Sequence, residues 1–511
     1  MKNMNKLFKV CVLGLVMVFV HGCTDLEEDL QGTLDESSEG GYRLPPTNVN
    51  LATPADGVGS AFSALFNGTG NHGGYFSISE ISTDEAVITQ KGGDWFDGGV
   101  WLRMHQHTWT ATHPNLLGTW NNCYDGINES NRIFAEDGIA EDSDAGLQVR
   151  AVRAYYYWRL LDLFGRVRMP FSVAEATTVP QLERSAGFDR IEAELLDIIP
   201  DLPSGVQDYG RVSQAGARAL LARMYLNAEV YTGTPRWQDA IDQYDAIINE
   251  GAYALSPGYA EIFAADNVEN IEHIWVVPFD EATATGFNLA QMTLHYPSQL
   301  TYNLAQQPWN GYSTLEEFYN SYDAADERFT NNFISGPQFS SGGQPLLDVA
   351  FDAADPDGAP VNYTPAINEL FPNGSRQAGA RIGKFNFKQN QLNDMDNDYP
   401  LFRYTEVLLG RAEANARLNG NWNLALPEVN QIRQRAGVAD LTSLDADSFL
   451  AEKGREMFAE STRRTDLIRF GKWGDSWWEK PAHSDDFRIV FPIPQDQINN
   501  SNGLLTQNTG Y

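Results

Sequence analysis

The sequence predicts a mainly α fold in which helix pairs carry a loop-rich face with small β elements. Three observations carry that expectation. Apolar residues recur at three-and-four spacing in several segments between Val149 and Ser461, the period of a helix face. Those segments stop at Gly165, Gly251 and Gly437, where a helix end favours a residue able to turn left-handed. Between roughly 256 and 400 the pattern changes to Pro, Gly, Asn and aromatic residues, with one apolar run, His273 to Phe279, that reads as a strand.

The N-terminus decides the compartment. Lys2, Lys6 and Lys9 precede the apolar run Val10 to Val20, which is short for a bilayer span and reads as the core of a signal peptide over 1–22 rather than an uncleaved anchor. Val20-His21-Gly22-Cys23 resembles a bacterial lipobox, with His21 standing where a small residue is usual. The resemblance implies lipidation of Cys23 and attachment to a membrane through that lipid. Asp25, Glu27, Glu28 and Asp29 follow, similar to the acidic surface-export signal of Bacteroidetes lipoproteins, which implies the cell-surface side of the outer membrane. Residues 23–57, rich in Gly, Ser, Pro and acid, read as a tether or arm, and the folded body starts near Val58.

Charge narrows the partners. Removal of 1–22 takes three lysines and no acid, moving the net charge from −32 to −35. Such a surface argues against nucleic acid and against polyanionic glycans, both of which need a basic footprint. Neutral polysaccharide fits. Cys11 leaves with the signal and Cys23 is the lipid site, so Cys123 has no disulfide partner and stability rests on the core.

Four of the twelve tryptophans lie between Trp95 and Trp120, three of them in the stretch Lys91 to Trp109. Gly92, Gly93, Asp94, Asp97, Gly98 and Gly99 surround Trp95 and Trp101, so a loop or tight hairpin with partly exposed rings is expected rather than a helix. An indole offers an apolar face and one N–H donor, which matches the C–H face and hydroxyl edge of a sugar. A single tryptophan is more often core than site. The clustering with Asp and Gly favours a binding surface for Trp95 and Trp101, whereas Trp109 and Trp120, beyond the glycine turns, are expected in the core.

Helices follow in order. Val149, Val152, Tyr156, Leu160 and Leu163 mark an amphipathic helix ended by Gly165. Ser213 is the expected N-cap of a helix carrying Ala217, Leu221, Met224 and Ala228. Thr234-Pro235 then opens a second with Trp237, Ile241, Tyr244 and Ile248, ended by Gly251. Two helices in about 35 residues, with Ala240 and Tyr244 four apart, look like a degenerate tetratricopeptide repeat. A second pair spans 401–437: Tyr404, Leu408, Arg411 and Asn415, then Leu426, Val429, Ile432 and Ala436. A further helix is expected from about Ser448 to Ser461. The repeats are interrupted, so a simple solenoid is excluded.

Several motifs then coincide. Trp309-Asn310-Gly311-Tyr312-Ser313-Thr314, Tyr399-Pro400-Leu401-Phe402-Arg403-Tyr404, Arg463-Arg464-Thr465-Asp466-Leu467-Ile468-Arg469-Phe470 and the tail Gln507-Asn508-Thr509-Gly510-Tyr511 resemble the SusD/RagB family of Bacteroidetes outer-membrane lipoproteins. The resemblance covers essentially the whole mature chain, with 58–511 as a single domain. It implies a tetratricopeptide-type helical scaffold, polysaccharide binding at the cell surface, a TonB-dependent, SusC-like transporter as partner, and no catalysis. In glycan-binding members an arc of aromatics forms the sugar platform. The matching positions are Trp95 and Trp101 from the first third and Tyr296, Trp309 and Tyr312 from the loop-rich middle. Asp94, Asp97, Asn310 and Arg103 are expected to read hydroxyls. The Trp95 window and His105-x-His107-Thr-Trp109 look like members associated with β-1,3-glucan such as laminarin, ahead of a starch-like α-glucan. A glycoside hydrolase and a peptide-docking scaffold are the rival readings.

The remaining motifs are weaker. His105, His107 and His113 lack a Cys or carboxylate at ligand spacing, so structural or glycan-edge hydrogen bonds are expected ahead of a metal. Asp394, Asp396 and Asp398 begin like a calcium loop, but Tyr399 replaces the needed glycine and Thr405 the bidentate Glu. No cofactor is assigned; a looser structural calcium stays open there and at Asp355-x-Asp357-Gly358. Glu452, Glu456 and Glu460 at four-residue spacing suggest a solvated or Arg-paired helix face.

Overall fold

Helix α1 (Gly59–Gly68) opens the part of the chain that the computed structural model describes, residues 57–206, 209–348 and 358–511. The signal peptide 1–22, Cys23 and the arm as far as Asp56 lie outside the described residues, as do Asp355 and Asp357. Val58, the first apolar residue described, is fully buried.

Helices α2 (Pro114–Glu136), α3 (Asp144–Phe164) and α4 (Arg184–Ile198) follow, and α1 packs on α2, α2 on α3 and α3 on α4. Pro114 suits the first helical turn of α2, where an N–H would lack a partner. The Ser143 hydroxyl caps α3 by accepting from the Gly146 N–H. Gly165 ends α3 at φ +70°, as its sequence position predicts. The amphipathic reading of α3 is corrected: from Ala151 to Phe164 every residue is buried, the pattern of a helix enclosed on all sides. The two buried arginines there find partners for part of their guanidinium groups. Arg153 bonds Asn131, the Phe171 carbonyl and Glu194, and Arg159 bonds Thr69 and lies over the Tyr75 ring.

The two expected helix pairs are present. Ser213 caps α5 (Gln214–Leu226), and α6 (Trp237–Glu250) begins two residues after Pro235 and ends at Gly251 in the left-handed conformation. Helices α7 (Tyr404–Asn419) and α8 (Leu426–Arg435) make the second pair, and α9 (Ala446–Met457) follows. Helix α6 packs on both α5 and α7, joining the pairs although residues 251–403 separate them. Gly410 makes that approach possible: a Cβ there would sit 2.4 Å from the Tyr244 hydroxyl.

The strands are short. Among the described residues β1 (Ala86–Ile88), β2 (His273–Val277), β3 (Tyr312–Thr314) and β4 (Tyr399–Arg403) are those of three residues or more. Strand β2 pairs antiparallel with β4, and both are buried along their length, so the apolar run of 273–279 is a core strand.

The carboxylates of Glu452, Glu456 and Glu460 are Arg-paired, and they are buried rather than solvated. Arg403 reaches Glu456 at 3.0 Å and Glu460 at 2.6 Å, Arg328 reaches Glu452 at 2.8 Å, and Lys384 bonds Glu460. Arg455 pairs with Glu452, while Arg463 and Arg464 turn to Asp84 and Asp162. No helix among the described residues is long and apolar enough to cross a membrane.

Candidate functional site

One strand pair assembles the site. Strand β1 runs antiparallel to β3 with Ile88 opposite Tyr312, so the chain leaving β1 and the chain entering β3 lie at the same end. The first is the 89–99 loop with its Asp-Trp-Phe-Asp-Gly-Gly run; the second is Trp309-Asn310-Gly311. A third segment closes the other flank: the Gln90 N–H donates to the Leu370 carbonyl, and the Gly92 N–H to that of Pro372. Lys91, fully buried, donates its ammonium to the Gly311 carbonyl at 3.1 Å and ties the first segment to the second.

Within that frame Trp95 sits at φ +63°, a left-handed conformation that bulky side chains rarely adopt and that costs on the order of 1–3 kcal/mol. The paired backbone hydrogen bonds of Lys91 and Asp94 turn the chain into it. The Trp95 indole N–H donates to the Trp309 carbonyl at 2.6 Å, and a Cβ on Gly311 would lie 2.3 Å from Trp95 Cζ2. Gly311 is therefore where the ring rests on bare backbone.

Four rings surround His72, which no sequence motif singled out. Trp95, Trp101, Trp309 and Tyr312 have centroids 5.2, 5.1, 5.6 and 5.9 Å from it. Burial pushes the His72 imidazole down to about 4, with Asp97 opposing, so the hub is neutral at physiological pH. The Tyr312 hydroxyl bonds His72 Nδ1 and the Ser77 hydroxyl.

The nine expected contact residues divide. Trp95, Trp309 and Tyr296 are half-buried, while Asp94 and Asp97 are exposed. The Tyr296 hydroxyl donates to Asp94, and burial together with that carboxylate holds the phenol above its ordinary value. Three expectations are corrected. Trp101, 2 % exposed, lies in a short helix, Val100–His105, that begins directly after the glycine turn and directs its ring inward; its N–H donates to Asp97. Tyr312, fully buried in β3, is floor rather than platform. Asn310, also fully buried, accepts from Arg381 and donates to the Arg376 carbonyl, leaving its amide occupied. Arg103 donates to the Gly98 carbonyl and braces the loop.

Two exposed rings were missed. Phe96 is 48 % exposed beside Trp95, and Phe371 is 51 % exposed on the third segment. Phe371-Pro372-Asn373-Gly374 carries turn chemistry that could have placed it on a loop; nothing in the sequence pairs it with Gln90.

The other polar motifs lie elsewhere. His105 bonds the Trp478 carbonyl, His107 bonds His483 and the Ser82 carbonyl, and His113 bonds the Val100 carbonyl; all three are buried, so these histidines are structural and not glycan-edge donors. Trp109 and Trp120 are core, as expected. Asp394 and Asp396 accept from the Gly286 and Glu281 backbone N–H groups, and Asp398 from Tyr209. Among the described residues no three His, Cys, Asp or Glu side chains converge as a metal site would need.

Comparison with known proteins bears on this arrangement. Residues 271–511 match the family described as the SusD family, and residues 76–226 match one described as starch-binding, associating with the outer membrane. The starch-binding protein SusD of Bacteroides thetaiotaomicron is 26% identical over 494 residues, covering 85% of each chain. A solved laminarin-binding SusD-like protein superposes with a TM-score of 0.71 at 21% identity over 89% of this chain and 98% of its own. Surface glycan-binding protein A of Bacteroides thetaiotaomicron, solved with laminarihexaose, gives 0.69 at 22% identity over 88% and 98%.

Proposed function

We propose that this chain, which belongs to the SusD/RagB family, captures a neutral glucan at the bacterial surface and passes oligosaccharides to a TonB-dependent, SusC-like transporter. The observation that carries the reading is the convergence of three half-buried aromatic residues from separate segments near one end of the β1–β3 pair, with the Trp95 N–H on the Trp309 carbonyl and the Tyr296 hydroxyl on Asp94. Rings with one open face suit stacking under sugar C–H surfaces, and pre-positioning them lowers the ordering cost of binding. Asp94 and Asp97 supply acceptors for hydroxyls. Two carboxylates at the site, on a chain of net charge −32, disfavour an anionic glycan.

Lipidation at Cys23 would tether the protein to the outer membrane. The glucan is β-1,3-linked, of the laminarin type, with a starch-like α-glucan second. The chain's similarity to a starch-binding protein supports binding as the activity, and the protein binds without cleaving. Native affinity electrophoresis on laminarin, starch, xylan and alginate, with reducing-end release assayed in parallel, tests this. Retardation by laminarin without release is the expected result. No retardation on any of the four, or release of reducing ends, overturns it.

A further inference from the structure

Beyond Tyr296 the surface opens into a groove of about 510 Å³, within the roughly 300–1,000 Å³ of small-ligand sites. One wall is the helical turn from Tyr296 to Tyr302, and the other is a hairpin in which Phe339 pairs with Pro345. The walls are tied together. The Ser341 N–H donates to the Leu300 carbonyl, and the Thr301 hydroxyl donates to the Phe339 carbonyl, both at 2.8 Å. The groove is thus formed before any ligand arrives.

Its chemistry is distinctive for so acidic a chain, because every described residue lining it is uncharged. Leu300 and Leu347 are 57 % and 47 % exposed and present apolar surface. The exposed carboxamides of Gln307 and Gln344 make no hydrogen bond among the described residues, so each offers donors and an acceptor to a ligand. Amides that donate and accept together match the hydroxyl edge of a neutral sugar, and the leucines match its C–H face. The groove also continues the aromatic site: Tyr296 belongs to both, and Gln307 lies two residues before Trp309.

We propose that this groove is a second subsite, holding further residues of a neutral glycan chain that leaves the Trp95–Trp309 platform past Tyr296. It makes the protein a reader of chain length, and it rests on the glycan-binding reading given above. Calorimetric titration with laminaritriose, laminariheptaose, maltotriose and maltoheptaose tests it, on the wild type and on two double variants, Gln307→Ala/Gln344→Ala and Leu300→Ser/Leu347→Ser. In the wild type the heptasaccharide of the preferred linkage binds at least about tenfold more tightly than the trisaccharide. In both variants the heptasaccharide falls to the affinity of the trisaccharide, whose own binding is unchanged; the side chains are exposed, so melting temperature stays put.

Wild-type affinity that is independent of length overturns the subsite alone, as does a length preference that survives both variants or a loss shared equally by short and long saccharides. A groove built for an apolar peptide gives the first of these patterns. Failure of the wild type to bind any of the four saccharides removes the glycan reading, and the subsite with it.

Discussion

The Trp95 indole N–H meets the Trp309 carbonyl across 214 residues of sequence, and the ring lies over Gly311 with no room for a Cβ. Gly311 is not in a left-handed conformation, and the atoms nearest to an added Cβ are all in the Trp95 ring. Gly311→Ala should lower glycan affinity by at least about 2 kcal/mol, roughly thirtyfold, as Trp95→Ala does, because it displaces the ring without removing it. Affinity electrophoresis of the two variants side by side reads this out. Retardation of Gly311→Ala equal to the wild type would show that the ring's position does not matter.

Trp101 and Trp309 share contact with His72 but differ in exposure, and that difference predicts opposite phenotypes. Trp101→Ala empties a buried position and removes the indole donor to Asp97, so it should cost about 3–5 kcal/mol of stability in urea denaturation. Trp309→Ala should leave the unfolding midpoint near wild type and abolish retardation. A Trp101→Ala protein of wild-type stability that no longer binds would place Trp101 against the ligand.

How much of this was legible in sequence depended on the range of the interaction. The helix ends at Gly165, Gly251 and Gly437, the Ser213 cap and the β2 strand are local signals, written within a few residues, and the structure places them where the pattern does. Trp101 went wrong at the boundary between loop and helix. Its glycine neighbours mark a turn, but a helix starts immediately afterwards, and a helical periodicity of six residues is too short to see. Asn310 and Tyr312 share a motif with the half-exposed Trp309, yet every residue from Asn310 to Leu315 is buried, with Arg381 and β1, partners far off in sequence, packed against them. His72 and Phe371 join the site only through such pairings.

The buried Arg403 makes a separate test of the scaffold. Its guanidinium touches Glu272, Glu456 and Glu460, all fully or almost fully buried. Removing one partner of a buried network leaves uncompensated charge, so Arg403→Met should lose about 3–5 kcal/mol, although the side-chain volume is nearly kept. Chemical denaturation measures it. A loss under about 1 kcal/mol, the scale of an exposed pair, would show that Arg435, Arg328 and Lys384 compensate fully.

The pH dependence of stability sets two groups against each other. Each of the seven histidines among the described residues is held below its ordinary value chiefly by burial, His72, His105, His113 and His273 to about 4. Protons then bind the unfolded chain first, so each of these four imidazoles removes up to about 1.4 kcal/mol of stability per pH unit as pH falls from 6.5 toward 4. Glu80 works in the opposite sense. Burial raises its carboxyl to about 7, and the neighbouring Glu85 is also raised, so the folded state binds protons first and gains stability as pH falls from 7 toward 4.5. The histidines outnumber the acids, and the melting temperature should fall between pH 7 and pH 5 at constant ionic strength. His113→Asn should flatten that fall by removing a proton acceptor of the unfolded chain, whereas Glu80→Gln should steepen it by removing an opposing group. Melting curves whose pH dependence is the same in wild type and both variants would mean that these buried groups do not titrate between the folded and unfolded states as their surroundings require.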